Sequence, residues 1–311
     1  MEHAVGWMDS EWFDRHINGP NHPECPERLT AIREGIARSN LESKLHLTHP
    51  EPVDRDLLER IHTPAYVSQV EKLCTSGGGY LDPDTSVVSD SWTSALYAAG
   101  AAAQAVKTVI DGSWRRAFCS VRPPGHHAPQ GRAMGFCLFA NASIAAQAAL
   151  DCGLERVAII DWDVHHGNGT QAIFWRRSDV FYASWHQYPL YPGSGAESEQ
   201  GEGSGHGTTL NCPLPAGAGD HEYLQIWNMK IRPALDAYQP EMLIISAGFD
   251  ADRRDPLAGL EVTAAGFETL SASVIAWADE HCNGRVVSVL EGGYSLEALA
   301  EDVALHVGTL I

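Results

Sequence analysis

Two aspartates, two histidines and an asparagine fall within eight residues of the stretch IIDWDVHHGNGTQ, Ile159 to Gln171, directly after an apolar run. In extended backbone, side chains two residues apart share a face, so Asp161, Asp163 and His165 aim at one point. Two carboxylates and one imidazole suit a divalent cation, with zinc or iron(II) favoured by ligand type. The plain alternative is a strand end capped by polar residues. A second acidic segment, SAGFDADRRDP, follows another apolar run, and its small residues Ser246, Ala247 and Gly248 permit close approach. Asp250 could complete a three-ligand set, although spacing alone does not choose among Asp250, Asp252 and Asp255, any of which could be a loop or N-cap residue.

Two further motifs carry proton chemistry. RPPGHHAP sets His126 and His127 behind a Pro-Pro-Gly turn that fixes their directions, and imidazoles that titrate near neutrality serve as acid and base when a carboxylate or amide such as Asp161 or Asn168 fixes the tautomer. LEGGYS places Tyr294 after two glycines, where a phenol can donate to a developing oxyanion; taken alone, the motif reads equally as packing in a turn. The chain has no G-x-S-x-G elbow, no phosphate-binding G-x-x-x-x-G-K-[ST] loop and no G-x-G-x-x-G between a strand and a helix.

These motifs need a scaffold that brings them together. From the middle of the chain onward, β-rich runs at 117–121, 157–163, 180–185, 242–248 and 286–292 alternate with helical segments near 141–151, 168–177, 221–238, 263–281 and 295–310. This alternation predicts an α/β fold with a parallel sheet covered by helices. The polar clusters sit at the carboxyl ends of four of these runs, so they are expected to converge on one rim, where open α/β sheets bind ligands. The alanine-rich SALYAAGAAAQAVKTVI reads as a buried helix, and the Gly-rich run 201–220 as a long surface loop within a single domain spanning 1–311.

Composition narrows the function classes. With 44% hydrophobic and 20% charged residues the chain can bury a sizeable core. Its net charge of -19 disfavours direct nucleic-acid binding and suits a cationic ligand, or simply solubility. The seven cysteines (25, 74, 119, 137, 152, 212, 282) include no C-x-x-C pair, which disfavours a disulfide framework and a Cys-based zinc site. The N-terminal MEHAVGWMDSEWFDRH lacks an apolar core of the secretory kind and no run is long and apolar enough for a membrane span, so a cytoplasmic protein is expected.

The motifs HPECPERL (22–29), RPPGHHA (122–128), GFCLFANASIAA (135–146), DWDVHHGNGTQ (161–171), SAGFDADRRDPL (246–257) and LEGGY (290–294), in that order, resemble the zinc-dependent histone deacetylase family. The likeness runs from about residue 16 to the C-terminus and is greatest to the class II branch and its bacterial relatives, which include acetylpolyamine amidohydrolases. The resemblance implies the arginase/deacetylase fold, with a parallel sheet of about eight strands. It implies Asp163, His165 and Asp250 as ligands of one zinc ion, with Asp252 outside the ligand position. It implies His126 and His127 as the tandem catalytic histidines, backed by Asp161 and Asn168, and Tyr294 as the catalytic tyrosine. Asn168 stands where class I members carry aspartate. By the same resemblance Gly135, Phe136 and Tyr191 would line a narrow tunnel for an acyl-lysine side chain, and Arg28 would lie near an internal channel for acetate. A structural potassium ion would be held through Asp161, Asp163, His165 and Ser184.

The implied reaction is hydrolysis of an acetylated amine, on acetyl-lysine of a protein or peptide or on an acetylated polyamine. Polyamine-directed class II relatives carry a glutamate gatekeeper where this chain has Leu257, which favours acetyl-lysine slightly. A catalytically silent acyl-lysine binder is the alternative of another class, and the intact ligand, histidine and tyrosine set argues against it. The same signatures disfavour a two-manganese, arginase-like ureohydrolase. An oligomer is compatible with the sequence, which specifies neither its size nor its contacts.

Overall fold

Among the described residues, eight of the ten strands form one sheet in which every pairing is parallel. The structure is a computed structural model that describes residues 4–311. The strands are β1 (Ala4–Met8), β2 (Leu45–Thr48), β3 (Gly79–Asp82), β4 (Thr85–Val87), β5 (Trp114–Cys119), β6 (Val157–Asp161), β7 (Val180–Gln187), β8 (Thr209–Leu214), β9 (Met242–Ala247) and β10 (Val286–Leu290). The sheet order is β2-β1-β5-β10-β9-β6-β7-β8, and β3 and β4 pair as a separate antiparallel hairpin.

The helices are α1 (Glu27–Arg38), α2 (Arg55–Ile61), α3 (Pro64–Thr75), α4 (Ser91–Ile110), α5 (Asn141–Asp151), α6 (Asn168–Phe174), α7 (Asp220–Ile226), α8 (Arg232–Tyr238), α9 (Ala264–His281) and α10 (Leu296–Leu310). A π-helical turn, Trp227–Ile231, joins α7 to α8, so the helix expected near 221–238 is continuous but not uniform. Side-chain oxygens of Thr63, Thr263 and Ser295 accept the first free N–H groups of α3, α9 and α10.

Central strands covered on both faces read as continuous apolar runs, and β6, β9 and β10 (VAIID, MLIISA, VVSVL) are buried at every residue. Successive residues of β5 show the two layers: the Phe118 ring lies against His306 of α10, whereas the Cys119 thiol points to the Ala101 carbonyl of α4. The alanine-rich segment forms α4 and is buried along most of its length, as expected. No helix among the described residues is long and apolar enough to cross a membrane.

The segment 201–220 departs from the expected surface loop, because it contains the edge strand β8, paired with β7 from Tyr182↔Thr209 to Gln187↔Leu214. Pro213 obscures the strand in sequence and is tolerated because an edge strand leaves one side of its ladder unpaired. The fold also opens with β1, which lies between β2 and β5, ahead of the alternation read from the middle of the chain.

Helices α1 and α10 cross so closely at Gly35 that a Cβ there would overlap the Ala300 carbonyl oxygen. Gly35→Ala is expected to destabilise the fold by about 1–3 kcal/mol, the usual cost of overpacking a tight contact, read as a lower denaturation midpoint. An unchanged midpoint would show that the two helices separate freely.

Candidate active site

Four neighbouring strands in the middle of the sheet, β5, β10, β9 and β6, end at the four polar clusters. Parallel pairing puts all four carboxyl ends on one rim, as the sequence pattern predicts. Asp163 and His165 follow β6, and Asp250 follows β9. Their ligand-type atoms lie within 4.8 Å of one another. His165 Nδ1 is 3.1 Å from Asp163 Oδ1 and 3.1 Å from Asp250 Oδ2.

Glycine makes this convergence possible. A Cβ at Gly248 would overlap the Asp163 carboxylate, and one at Gly292 would overlap the carboxylates of both Asp163 and Asp250. The Gly292 N–H donates to Asp163 Oδ2 at 2.8 Å, and the Val164 N–H donates to Asp250 Oδ1 at 2.8 Å, so both acids are oriented from behind.

The electrostatics fit a cation. Burial pushes Asp250 up to about 7, helped by the nearby charge of Asp163. Burial opposes the ionised form of Asp163 too, but His126 and His165 hold that carboxyl well below its usual range. Burial alone would lower His165, yet hydrogen bonds to Asp163 and Asp250 carry it up to about 10. A proton on His165 thus sits where both carboxylates face, and a divalent ion would take over that compensation with more charge. Two carboxylates and one imidazole form the donor set of a catalytic zinc-type site, with positions left for water and substrate.

Asp252 and Asp255 are excluded from the cluster by their partners. Asp252 pairs with Arg254 at 2.9 Å. Asp255 accepts from Leu257 N at 2.9 Å through one oxygen and from Tyr294 N at 2.7 Å through the other, tying the two segments together.

The tandem histidines have unlike partners. His126 Nδ1 lies 3.1 Å from Asp161 Oδ2, which also accepts the Tyr182 hydroxyl at 3.0 Å. His127 Nδ1 donates to Asn168 Oδ1 at 2.8 Å, leaving the Nε2 lone pair free. Burial opposes charge on both rings; at His126 the charges of Asp163 and Asp161 overcome it and raise the pKa well above the usual value. At His127 burial, reinforced by the charge of His126, lowers it well below. The pair is therefore split into a cationic and a neutral imidazole, the division expected of groups with different roles in proton transfer.

A cavity of about 200 Å³ opens onto this cluster, with His127, His165 and Tyr294 among its lining residues. Gly135, Phe136, Tyr191 and Leu257, all expected to line a tunnel, border the same cavity. Gly135 and Phe136 both have left-handed backbone, with φ of 56° and 66°, and a Cβ at Gly135 would overlap the His127 ring. The Phe136 ring meets Tyr294 edge-on at 6.0 Å, and the Tyr191 ring meets His127 at 5.1 Å. Burial raises the Tyr294 hydroxyl pKa well above its usual value, so the group stays a proton donor.

Arg28 is buried behind Tyr294 and does not border the cavity. It donates to the Gly293 carbonyl at 2.7 Å, to the Glu291 carbonyl at 2.5 Å and to Glu24 at 3.2 Å, with its guanidinium 5.0 Å from the Tyr294 ring centre. Ser184 stands opposite Asp161 in the β6–β7 register. Its hydroxyl lies 2.8 Å from His186 Nδ1, and His186 Nε2 donates to the Gly195 carbonyl at 3.0 Å. That tautomer makes Ser184 the donor and leaves its oxygen lone pairs free.

Asp84, Tyr182 and Glu291 join the site without having been singled out from the sequence. Asp84 borders the cavity from the turn between β3 and β4, a hairpin with no sequence signal linking it to the sheet rim. Glu291 does leave a trace, as an acid closing an otherwise apolar strand in VVSVLEGG.

Comparison with known proteins bears on the fold and the family. The family described as "Histone deacetylase domain" matches residues 22–310. A protein of Archaeoglobus fulgidus named "Probable deacetylase" is 40% identical over 297 residues, covering 94% of this chain and 82% of that protein. The "Histone deacetylase-like amidohydrolase" of Pseudomonas aeruginosa is 41% identical over 277 residues, covering 88% of this chain and 73% of its own length. The crystal structure of the HDA15 HD domain superposes with a TM-score of 0.95 at 34% identity, covering 99% of this chain and 89% of that one. Fold and family thus define a hydrolase of the deacetylase and amidohydrolase class. The chain belongs to the histone deacetylase family.

Loss of one buried carboxylate from the three-residue cluster should abolish tight metal binding. Asp250→Asn is expected to weaken zinc affinity by more than the roughly 10- to 100-fold that loss of an outer hydrogen-bonding partner costs, measured by competition with a chelating dye. Unchanged affinity would place the metal elsewhere.

Proposed function

We propose that this protein is a zinc-dependent amidohydrolase that removes acetyl groups from acetyl-lysine side chains of proteins or peptides and releases acetate. The observation that carries this reading is the meeting of Asp163, His165 and Asp250 with His127 and Tyr294 at one small cavity. Asp163, His165 and Asp250 would hold the ion, which would supply Lewis acidity to the acyl carbonyl and to the attacking water.

The chain's own groups handle the protons. His127 Nε2 takes the proton of water as its oxygen adds to the acyl carbon. Asn168 keeps Nδ1 protonated, so Nε2 is the basic atom. The same proton then passes to the amine nitrogen as the C–N bond breaks, giving acetate and a free amine. His126, paired with Asp161, keeps a positive charge beside the developing oxyanion, and Tyr294 donates its O–H to that oxygen. Arg28, fixed behind Tyr294, supplies positive charge on the side where acetate would leave. Asp161, Ser184 and the backbone of Asp163 and His165 would hold a structural potassium ion, a reading supported by the facing of Asp161 and Ser184 and by the free lone pairs on Ser184.

The walls favour a long apolar chain ending in an amide. Phe136 and Tyr191 present rings to the cavity, and Leu257 offers a distal ammonium no ionic partner. The polyamine reading draws support from Asp84, a carboxylate beside the cavity, whose charge also raises the pKa of burial-perturbed Asp82. A pair of acids there could hold a cation.

Comparing kcat/KM of the zinc-loaded protein on an acetyl-lysine peptide, acetylputrescine and acetylspermidine separates these readings. Preference for the peptide is expected; preference for the polyamines would transfer the protein to the second class, and no turnover on any would point to a silent acyl-lysine binder. Tyr294→Phe should lower kcat by roughly 100- to 1000-fold, the usual effect of removing one oxyanion donor, while zinc content stays at the wild-type level. Full turnover in that variant would remove Tyr294 from the reaction.

A further inference from the structure

Glu291 is wholly buried, two residues from the glycine that precedes Tyr294, and the chemistry above does not use it. Its Oε2 accepts the Gly125 N–H at 2.7 Å and the His126 N–H at 3.1 Å. These amides follow Pro123 and Pro124, lie outside the sheet ladders and would be orphaned without this carboxylate. The other side of the same backbone is held as well. The His126 carbonyl accepts the Gly169 N–H at 2.9 Å and the Thr170 N–H at 3.1 Å, both from the start of α6, and the His126 ring is held by Asp161.

Residue 291 is itself fixed. Its N–H donates to the Ala247 carbonyl at 3.0 Å, and its carbonyl accepts from Arg28. One residue at the end of β10 therefore grips the histidine turn with its side chain while its backbone is locked to β9 and to Arg28. His126, Cys137 and Glu291 also form a cluster of the kind that can hold a metal. Glu291 Oε2 already accepts two N–H groups and His126 Nδ1 already faces Asp161, which fits a backbone clamp better than a second metal centre.

We infer that Glu291 is a positioning residue, whose buried carboxylate clamps the Gly125–His126 backbone and thereby sets the directions of both histidines relative to the metal cluster and Tyr294. A buried carboxylate is costly unless hydrogen-bonded. Two amide donors and the neighbouring His126 offset only part of that cost, and burial still pushes the Glu291 carboxyl up to about 7. A carbonyl oxygen placed where Oε2 lies would serve the same clamp, so acceptor geometry rather than charge is what the position requires.

The inference rests on the amidohydrolase reading for its kinetic consequence but not for its structural one, and the experiment separates them. Glu291→Ala and Glu291→Gln would be compared with wild type in kcat and KM on the acetyl-lysine peptide, in zinc content, and in amide hydrogen exchange of the 122–128 segment. For Glu291→Ala, kcat should fall about 10- to 100-fold, as a small misplacement of reacting groups allows, with KM and zinc content unchanged and exchange at 125 and 126 accelerated. Glu291→Gln should stay within about three-fold of wild-type kcat, a change under ~1 kcal/mol, with slow exchange retained. Unaltered kcat and exchange in the alanine variant would overturn the clamp, as would a kcat loss that merely tracks lost zinc. If the alanine variant does not fold, the glutamine variant decides: slow exchange and near-normal kcat support the clamp, and fast exchange or collapse of kcat overturns it. Were wild type inactive on every acetylated substrate, the amidohydrolase reading would fall while the exchange comparison still tested the clamp.

Discussion

Two carboxylates held within hydrogen-bonding reach of one imidazole, almost out of contact with water, are the constraint from which the rest of this structure follows. Asp163 and Asp250 repel each other in a medium of low dielectric, and burial together with the charge of Asp163 pushes Asp250 up to about 7. Such a pair is tolerable only with positive charge between or beside it. His165 provides one such charge, His126 another, and a divalent ion would provide more. Concentrated unfavourable electrostatics are a recurring mark of functional sites, because a fold gains nothing in stability from them that apolar side chains would not supply.

Holding that arrangement requires a rigid frame. Parallel strands β5, β10, β9 and β6 carry the acids, histidines and tyrosine on adjacent ends of one buried sheet. Close approach of those ends depends on Gly248 and Gly292, where any side chain would occupy the space of a carboxylate. Backbone N–H groups do much of the orienting: those of Gly292 and Val164 fix Asp163 and Asp250, and those of Tyr294 and Leu257 are both fixed by Asp255. The site is thus built as much from main chain as from side chains, which suits a reaction that needs its groups placed before substrate arrives.

Adjacent residues of similar chemistry are separated by what stands behind them. His126 has a carboxylate partner that is itself held by Tyr182, and its pKa is raised; His127 has an amide partner, and its pKa is lowered. A neutral partner for the second ring avoids adding a further negative charge and leaves a basic nitrogen directed away from Asn168. The cavity outside is lined by aromatic rings at Phe136 and Tyr191 and by one carboxylate, Asp84, brought in from a hairpin that is not part of the main sheet.

Much of this was legible in the residues themselves. The alternation of β-rich and helical runs located the central strands and the helices behind them, because fully buried parallel strands must be apolar throughout. The D-x-D-x-H spacing predicted a shared face, and the motifs in order pointed to the family. Spacing could not choose among Asp250, Asp252 and Asp255, and only the family resemblance pointed to Asp250, since each is an acid in one loop and only its partners differ: the Asp163–His165 cluster, Arg254, or the amides of Leu257 and Tyr294. Nor did it reveal β8, whose proline is acceptable only at a sheet edge, or bring Asp84 and Glu291 to the site. Local pattern records what each segment must bury and how its side chains alternate. Which distant backbone N–H a carboxylate will meet depends on strand order and close packing, and only the folded chain sets those.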